Sequence, residues 1–293
     1  MKKRIGDAAN RFVKQYGEDE YYTKGIQSKL ESWIYNTNKL EIQEIFLLLF
    51  DNFMYFNKQE IKSNILNMWK LMINELNQDI DNLCIVPIEA TDNSHTSSDE
   101  MIGVIKELFR SREIDMYTDT ILTSINVMPK DINQVALFDD ISGTGMTIDK
   151  FIQRNISKLE GCNVHINLIV STEEAKKKLE SIVIPAGKVY VRSSIIVGPV
   201  FNELEVLGED YRNKMYKFEE GLWGEKSKNI LGYNELLIGF SHNTPNNTIS
   251  SFWITEDIIK NKCRWSPLFD RMTKNRRPKT SEVNRLIQKQ KED

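Results

Sequence analysis

Apolar positions in the first quarter of the chain recur at helical spacing. In LEIQEIFLLLFDNFMYF, residues Ile42, Ile45, Phe46, Leu49, Phe50, Phe53 and Met54 fall on one stripe, the pattern of a helix that buries one face. A second helix is expected from Asn57, a suitable N-cap with Glu60 three residues later. Its stripe is Ile61, Ile65, Leu66, Met68, Trp69, Met72 and Ile73. Residues 1–77 therefore read as a helical N-terminal region. Their Met and Trp side chains are expected in its core.

The texture changes after Asn82. LCIVPI, QVALFD, VHINLIV, KVYVRSSIIVG and ELLIGF are short apolar runs bounded by polar or turn residues. Continuous apolarity over such lengths suits strands buried on both faces of a mainly parallel sheet. Helical patterns over 98–110, 147–159 and 172–182 lie between several of them. Strand and helix alternating in this way predict an α/β fold, with the core domain over 78–258 and a tail over 259–293.

Composition narrows the setting. The chain has 293 residues, 40% of them hydrophobic, and a formal net charge of −3, which suits one or two packed domains and no wholesale dedication to nucleic acid. The charge is uneven: residues 260–293 hold 11 Lys or Arg against 4 Asp or Glu. Such a tail can contact phosphate backbones or simply be solvated. Cys84, Cys162 and Cys263 are odd in number and widely spaced, against a disulfide framework or a zinc site. The N-terminus lacks the apolar segment of a signal peptide, and no apolar run approaches the roughly 18 residues that span a bilayer. The expected location is the cytoplasm, with no membrane association.

Candidate chemistry concentrates in FDDISGTGMT, residues 138–147. An apolar strand over 135–138 leads into Asp139 and Asp140. A loop of small residues follows, and a helix opens at Thr147 with a stripe of Ile148, Phe151, Ile152, Ile156 and Leu159. The loop thus lies at the carboxyl end of a strand and at a helix N-terminus, where α/β sheets bind ligands and free amides favour an anion. Gly143 and Gly145 allow close approach, and Ser142, Thr144 and Thr147 add hydroxyls. A phosphate monoester fits the loop. The acids would repel that phosphate, so they call for a ligand that also presents hydroxyls or a metal ion. A ribose 5-phosphate with Mg²⁺ does both. The alternative is an Asx-type turn with a helix-capping Thr.

VALFDDISGTGMTI resembles the 5-phosphoribosyl 1-pyrophosphate (PRPP) motif of type I phosphoribosyltransferases. The resemblance implies an α/β fold with a mainly parallel sheet flanked by helices, and it implies roles. Asp139 and Asp140 would hold the ribose hydroxyls and Mg²⁺, directly or through water. Ser142, Gly143, Thr144, Gly145, Met146 and Thr147 would hold the 5-phosphate. In that family a loop after the first core strand binds pyrophosphate through backbone amides; the candidates here are Glu89, Ala90, Thr91 and Asp92. This loop lacks the family's glycines and is more acidic. Ser97 or Ser98 is expected to cap the next helix, and His95 to lie in an exposed loop.

A second dense polar stretch, GFSHNTPNNTISSFW at 239–253, follows an apolar strand. Carboxamides and hydroxyls could read a base edge or bind pyrophosphate, and His242 could move a proton. The same residue types also make ordinary turns. The helical N-terminal region, the PRPP motif, HNTPNNT and a final WSPLF at 265–269 together resemble phosphoribosyltransferase-like proteins of bacterial conflict systems, some encoded beside retron reverse transcriptases. That resemblance implies His242 as a catalytic residue and Asn243, Asn246 and Asn247 as base or acceptor contacts. It also implies an antiphage role, with a reverse transcriptase and its nucleic acid as partners. A pentosyl transfer or nucleotide-depleting activity is one expectation. A non-catalytic sensor of PRPP or nucleotide is the other.

Overall fold

The computed structural model describes residues 1–19, 22–76, 82–90, 96–114, 120–204, 206–255, 265–269 and 271. The helical start of the chain comprises α1 (Lys2–Tyr16), α2 (Ile26–Ile34) and α3 (Leu40–Asp51). α4 (Lys58–Glu75) begins at the expected cap. Asn57 accepts from the Glu60 N–H and the Glu60 carboxylate accepts from the Asn57 N–H, both at 2.9 Å, a reciprocal capping box.

One expectation fails here. The helical stripe does not continue to Met54: α3 ends at Asp51, and Met54–Phe56 forms a strand, β1. Phe53 and Tyr55 face the N-terminal helices while Phe56 faces the sheet side. That alternation is the period of a strand, but three residues are too few to separate it from a helix by pattern alone.

The main sheet is four-stranded and parallel, in the order β2 (Leu83–Ile85), β3 (Gln134–Ser142), β4 (Asn163–Thr172), β5 (Val189–Val197). α5 (Ser97–Arg110) follows β2, and α6 (Met146–Arg154) with the single turn α7 (Ile156–Leu159) follows β3. α8 (Glu173–Glu180) follows β4. Side chains alternate across β3: Ala136 and Phe138 pack with α4 and α5, Val135 and Leu137 with α6 to α8. Each fully buried aliphatic or aromatic side chain here contributes roughly 1.5–3 kcal/mol. The mainly parallel α/β architecture expected from the sequence is the one observed.

Two further differences have physical causes. β5 was expected to be buried, but it is only half-buried, with Tyr190 and Ile196 exposed. It is the sheet's edge, with a neighbour on one side. ELLIGF yields a short strand, β6 (Ile238–Phe240), which pairs in parallel with β1 rather than joining the four-stranded sheet. Before it come the turn α9 (Val200–Glu203) and the helix α10 (Gly208–Trp223). α10 buries only Met215, Glu219 and Trp223 along its length, a stripe too narrow to stand out from its charged residues.

Packing runs across the position expected to separate helical region from core. α1 to α3 share one hydrophobic cluster with α9, α10, residues 249–254 and 265–269. α4 instead covers the sheet. The chain's late segments are thereby pressed against its first helices. The segment that follows β6 lies between them and the carboxyl end of β3.

Candidate active site

β3 extends through the acid pair and ends at Ser142. Asp139 and Asp140 are thus strand residues, 7% and 4% exposed. Their carboxylates are held by the surrounding backbone and by two other elements. Asp139 Oδ1 accepts from the Asp140 N–H at 3.1 Å and from the Ser97 hydroxyl at 2.5 Å. Asp140 Oδ1 accepts from the Ile141 N–H at 2.7 Å. His242 Nε2 lies 2.8 Å from Asp140 Oδ2. Burial, reinforced by the neighbouring charge of Asp140, pushes the Asp139 carboxyl well above the usual carboxylate range; Ser97 and the Asp140 amide work the other way.

Thr96, and neither Ser97 nor Ser98, caps α5. Its N–H donates to Asp99 Oδ2 at 2.8 Å in a capping box. That leaves Ser97 to face Asp139. Ser98 ties the helix to the sheet, donating to Phe138 O at 2.7 Å and accepting from the Ile88 N–H at 3.0 Å.

The loop after β3 is short and held on two sides. Gly145 is the N-cap of α6 with φ +72°, a backbone that a residue with a Cβ adopts only with strain. The Gly143 carbonyl accepts from the Thr172 hydroxyl at 2.6 Å, and the same hydroxyl caps α8 by accepting from the Ala175 N–H at 3.0 Å. Above Gly143 lies the Asn-rich segment. A Cβ at 143 would stand 2.0 Å from Asn247 Nδ2 and 2.3 Å from Asn234 Oδ1. Glycine is required there by close approach. Asn247 Nδ2 donates to Asn234 Oδ1 at 2.5 Å, and Asn234 Nδ2 reaches the Gly143 carbonyl at 3.4 Å. Ser142 and Gly143 are buried, Thr144 is half-buried, and Met146 and Thr147 are exposed.

The fold therefore brings three of the sequence-derived groups together: the acid pair, the 142–147 loop, and His242 with Asn247. His242 follows β6 and the adjoining Ser241, whose N–H donates to Phe56 O at 2.9 Å. The His242 ring stacks on Phe240 with centroids 5.5 Å apart. Asn243 shapes the turn: its Oδ1 accepts from the Thr244 N–H at 2.9 Å, and its carbonyl accepts from the Phe240 N–H. Asn246 is half-buried, and its carbonyl accepts from the Tyr233 N–H at 3.0 Å.

Of the expected pyrophosphate loop, Glu89 and Ala90 are among the described residues. Glu89 Oε1 accepts from the Ile125 N–H at 3.2 Å, and the Glu89 carbonyl accepts from Arg154 at 2.7 Å. Ala90 is half-buried; Thr91, Asp92 and His95 lie outside the described residues.

A match to the PRTase-CE family extends over residues 30–271. The chain belongs to the PRTase-CE family. No curated protein and no solved structure matches it. As a PRTase-CE member it is a phosphoribosyltransferase-like protein, and the family match spans the acid pair, the loop and the His/Asn segment together. No helix among the described residues is long and apolar enough to cross a membrane. Reading this PRTase-CE sequence missed Ser97, Thr172 and Asn234. Ser97 carried a usable signal, a hydroxyl at the start of a helix after a core strand. Thr172 and Asn234 carried none, because their roles depend on contacts 29 and 91 residues away.

Proposed function

We propose that this PRTase-CE protein binds PRPP, or a closely related ribose 5-phosphate, together with Mg²⁺, and transfers or releases the phosphoribosyl group as an effector of bacterial antiphage defence. The observation that carries the reading is the contact of His242 with Asp140, which sets the His/Asn segment against the acid pair at the end of β3, just before the loop and start of α6. Ring hydroxyls of the sugar would donate to the two carboxylates, and the 5-phosphate would accept amides at the start of α6.

Two adjacent carboxylates suit Mg²⁺, which commonly uses one or two carboxylates and completes its shell with water and substrate phosphates. Among the described residues no three His, Cys, Asp or Glu side chains converge to hold a metal on their own, so the donor set fits an ion that arrives with the substrate. Bound there, it would offset charge on a departing diphosphate. The residues themselves hold the ring, and their carboxylates stabilise positive charge as the C1–O bond breaks and its electron pair leaves with the diphosphate. Asp140 fixes the His242 imidazole through Nε2, which leaves Nδ1 to accept the proton of an incoming nucleophile.

One observation favours the second reading, a sensor that binds without turnover. The sequence of the loop after β2, EATDNSH at 89–95, lacks the glycines of the transferases' pyrophosphate loop and is more acidic. A nucleic acid partner, in a retron setting one made by a reverse transcriptase, is supported by the 11 basic against 4 acidic residues of 260–293.

Isothermal titration with PRPP and Mg²⁺ tests the site. Wild type is expected to bind, and Asp139→Asn/Asp140→Asn to lose at least tenfold in affinity. Equal binding by both proteins would refute the assignment. Pyrophosphate release in the presence of bases or cellular RNA then divides transferase from sensor.

A further inference from the structure

Two donors from different parts of the chain converge on one carbonyl in the loop after β3. The Gly143 carbonyl accepts from the Thr172 hydroxyl at 2.6 Å and from Asn234 Nδ2 at 3.4 Å. Thr172 is buried, and its oxygen already accepts from the Ala175 N–H at 3.0 Å as the cap of α8. A hydroxyl carries a single proton, and here that proton goes to Gly143.

Asn234 is oriented toward the same atom. Its Oδ1 accepts from Asn247 Nδ2 at 2.5 Å, which turns its own Nδ2 toward Gly143. The turn that carries it is held at both ends. Leu231 and Glu235, with φ +60° and +54°, lie in the left-handed region, which residues with a Cβ enter only under strain. α10 secures both of them. Glu219 accepts from the Leu231 N–H at 2.5 Å, and Arg212 Nε donates to the two carboxylate oxygens of Glu235 at 2.9 Å and 3.0 Å.

A pinned carbonyl fixes the amide of the same peptide. The Gly143–Thr144 peptide is trans and planar, so its N–H points away from its C=O. With the carbonyl drawn to Thr172 and Asn234, the Thr144 N–H faces the opposite way. Among the described residues no acceptor meets that N–H. Glycine alone would let the peptide turn.

We infer that Thr172 and Asn234 are positioning residues that lock the Gly143–Thr144 peptide, so that the Thr144 amide is presented to the phosphoryl group of the ligand. This rests on the ribose 5-phosphate reading of the 142–147 loop. A preset amide needs no reorganisation when the anion arrives. A peptide free to turn could present its carbonyl instead and repel the phosphate.

Titration of the full chain with ribose 5-phosphate and Mg²⁺ tests the inference in wild type, Thr172→Val, Thr172→Ser and Asn234→Ala. Affinity is read by calorimetry, and the Thr144 amide resonance by NMR. In wild type that resonance should move as ligand is added. Thr172→Val keeps the shape and loses the hydroxyl; it is expected to bind roughly tenfold more weakly, with a much smaller Thr144 response, as a contact to the charged phosphate is lost. Thr172→Ser keeps both donor and cap and should stay within about threefold of wild type. Asn234→Ala leaves the α8 cap intact and should weaken binding about threefold, its contact being the longer one. Wild-type affinity in Thr172→Val or in Asn234→Ala overturns the inference. So does an equal loss in Thr172→Ser, or a weakened Thr172→Val whose Thr144 resonance responds to bound ligand as in wild type, which would mark only the missing cap. If wild type binds ribose 5-phosphate without moving the Thr144 resonance, or does not bind it, the underlying reading of the loop fails as well.

Discussion

Asp139 is held in a state that the free protein would be more stable without. Its carboxyl is buried beside Asp140, and both burial and that charge raise its affinity for a proton above that of an exposed aspartate. The folded form therefore binds more protons than the unfolded chain as pH rises above the ordinary aspartate range of about 4. Stability is fully present below that pH and declines as pH climbs through the raised folded value. Asp139→Asn removes the charge and keeps an oxygen to accept from Ser97 and the Asp140 amide. The variant is expected to be more stable than wild type at pH 7–8 by about 0.5–2 kcal/mol, the usual range for one stabilising substitution. The gain should vanish near pH 4, as read by denaturant unfolding across pH. A variant no more stable at neutral pH would contradict the burial of Asp139 beside a like charge. The acid pair, Gly143 and Gly145 could be read from the sequence because they are consecutive and their chemistry is local. Asn234 could not be placed, since nothing near it in sequence names its partner, and Ser97 could be placed only as far as the start of its helix.

Helix starts and strand ends build the site: α5 presents Ser97 to Asp139, α6 opens beside the loop, and β6 delivers His242. The long, strongly periodic elements were legible. α4 begins at its predicted cap, and β2 to β5 fall on the apolar runs. β1 was not legible, because three residues at the end of a helical stripe satisfy both periods. α10 was missed for its narrow buried face, yet it governs the segment that carries Asn247. Glu219 on α10 is buried and accepts from the Leu231 N–H at 2.5 Å, the Ser250 hydroxyl at 2.8 Å and the Ser251 N–H at 2.8 Å. These bonds hold the chain on either side of Asn234 and Asn247. Glu219→Ala leaves three buried donors without an acceptor, each at about 1–3 kcal/mol. It is expected to lower stability by more than about 3 kcal/mol, while Glu219→Gln, which keeps an oxygen, loses less. Equal unfolding midpoints for Glu219→Ala and wild type would show that this node does not hold the segment.

At the scale of the molecule, the first helices and the last described residues close on one hydrophobic cluster. The α/β class was readable from alternating texture. The wrapping was not, because it depends on contacts such as Trp33 Nε1 to Ser251 O, separated by 218 positions. One consequence is that the site is assembled from β3, α5, α6 and the chain beyond β6, and not from a single local motif. The most direct measurement is a crystal structure of the protein with ribose 5-phosphate and Mg²⁺. The phosphate should rest on the amides at the start of α6, with the 2′ and 3′ hydroxyls on Asp139 and Asp140. A sugar phosphate bound elsewhere, or an Asp139–Asp140 pair that makes no contact with a ligand seated at the loop, would contradict the account.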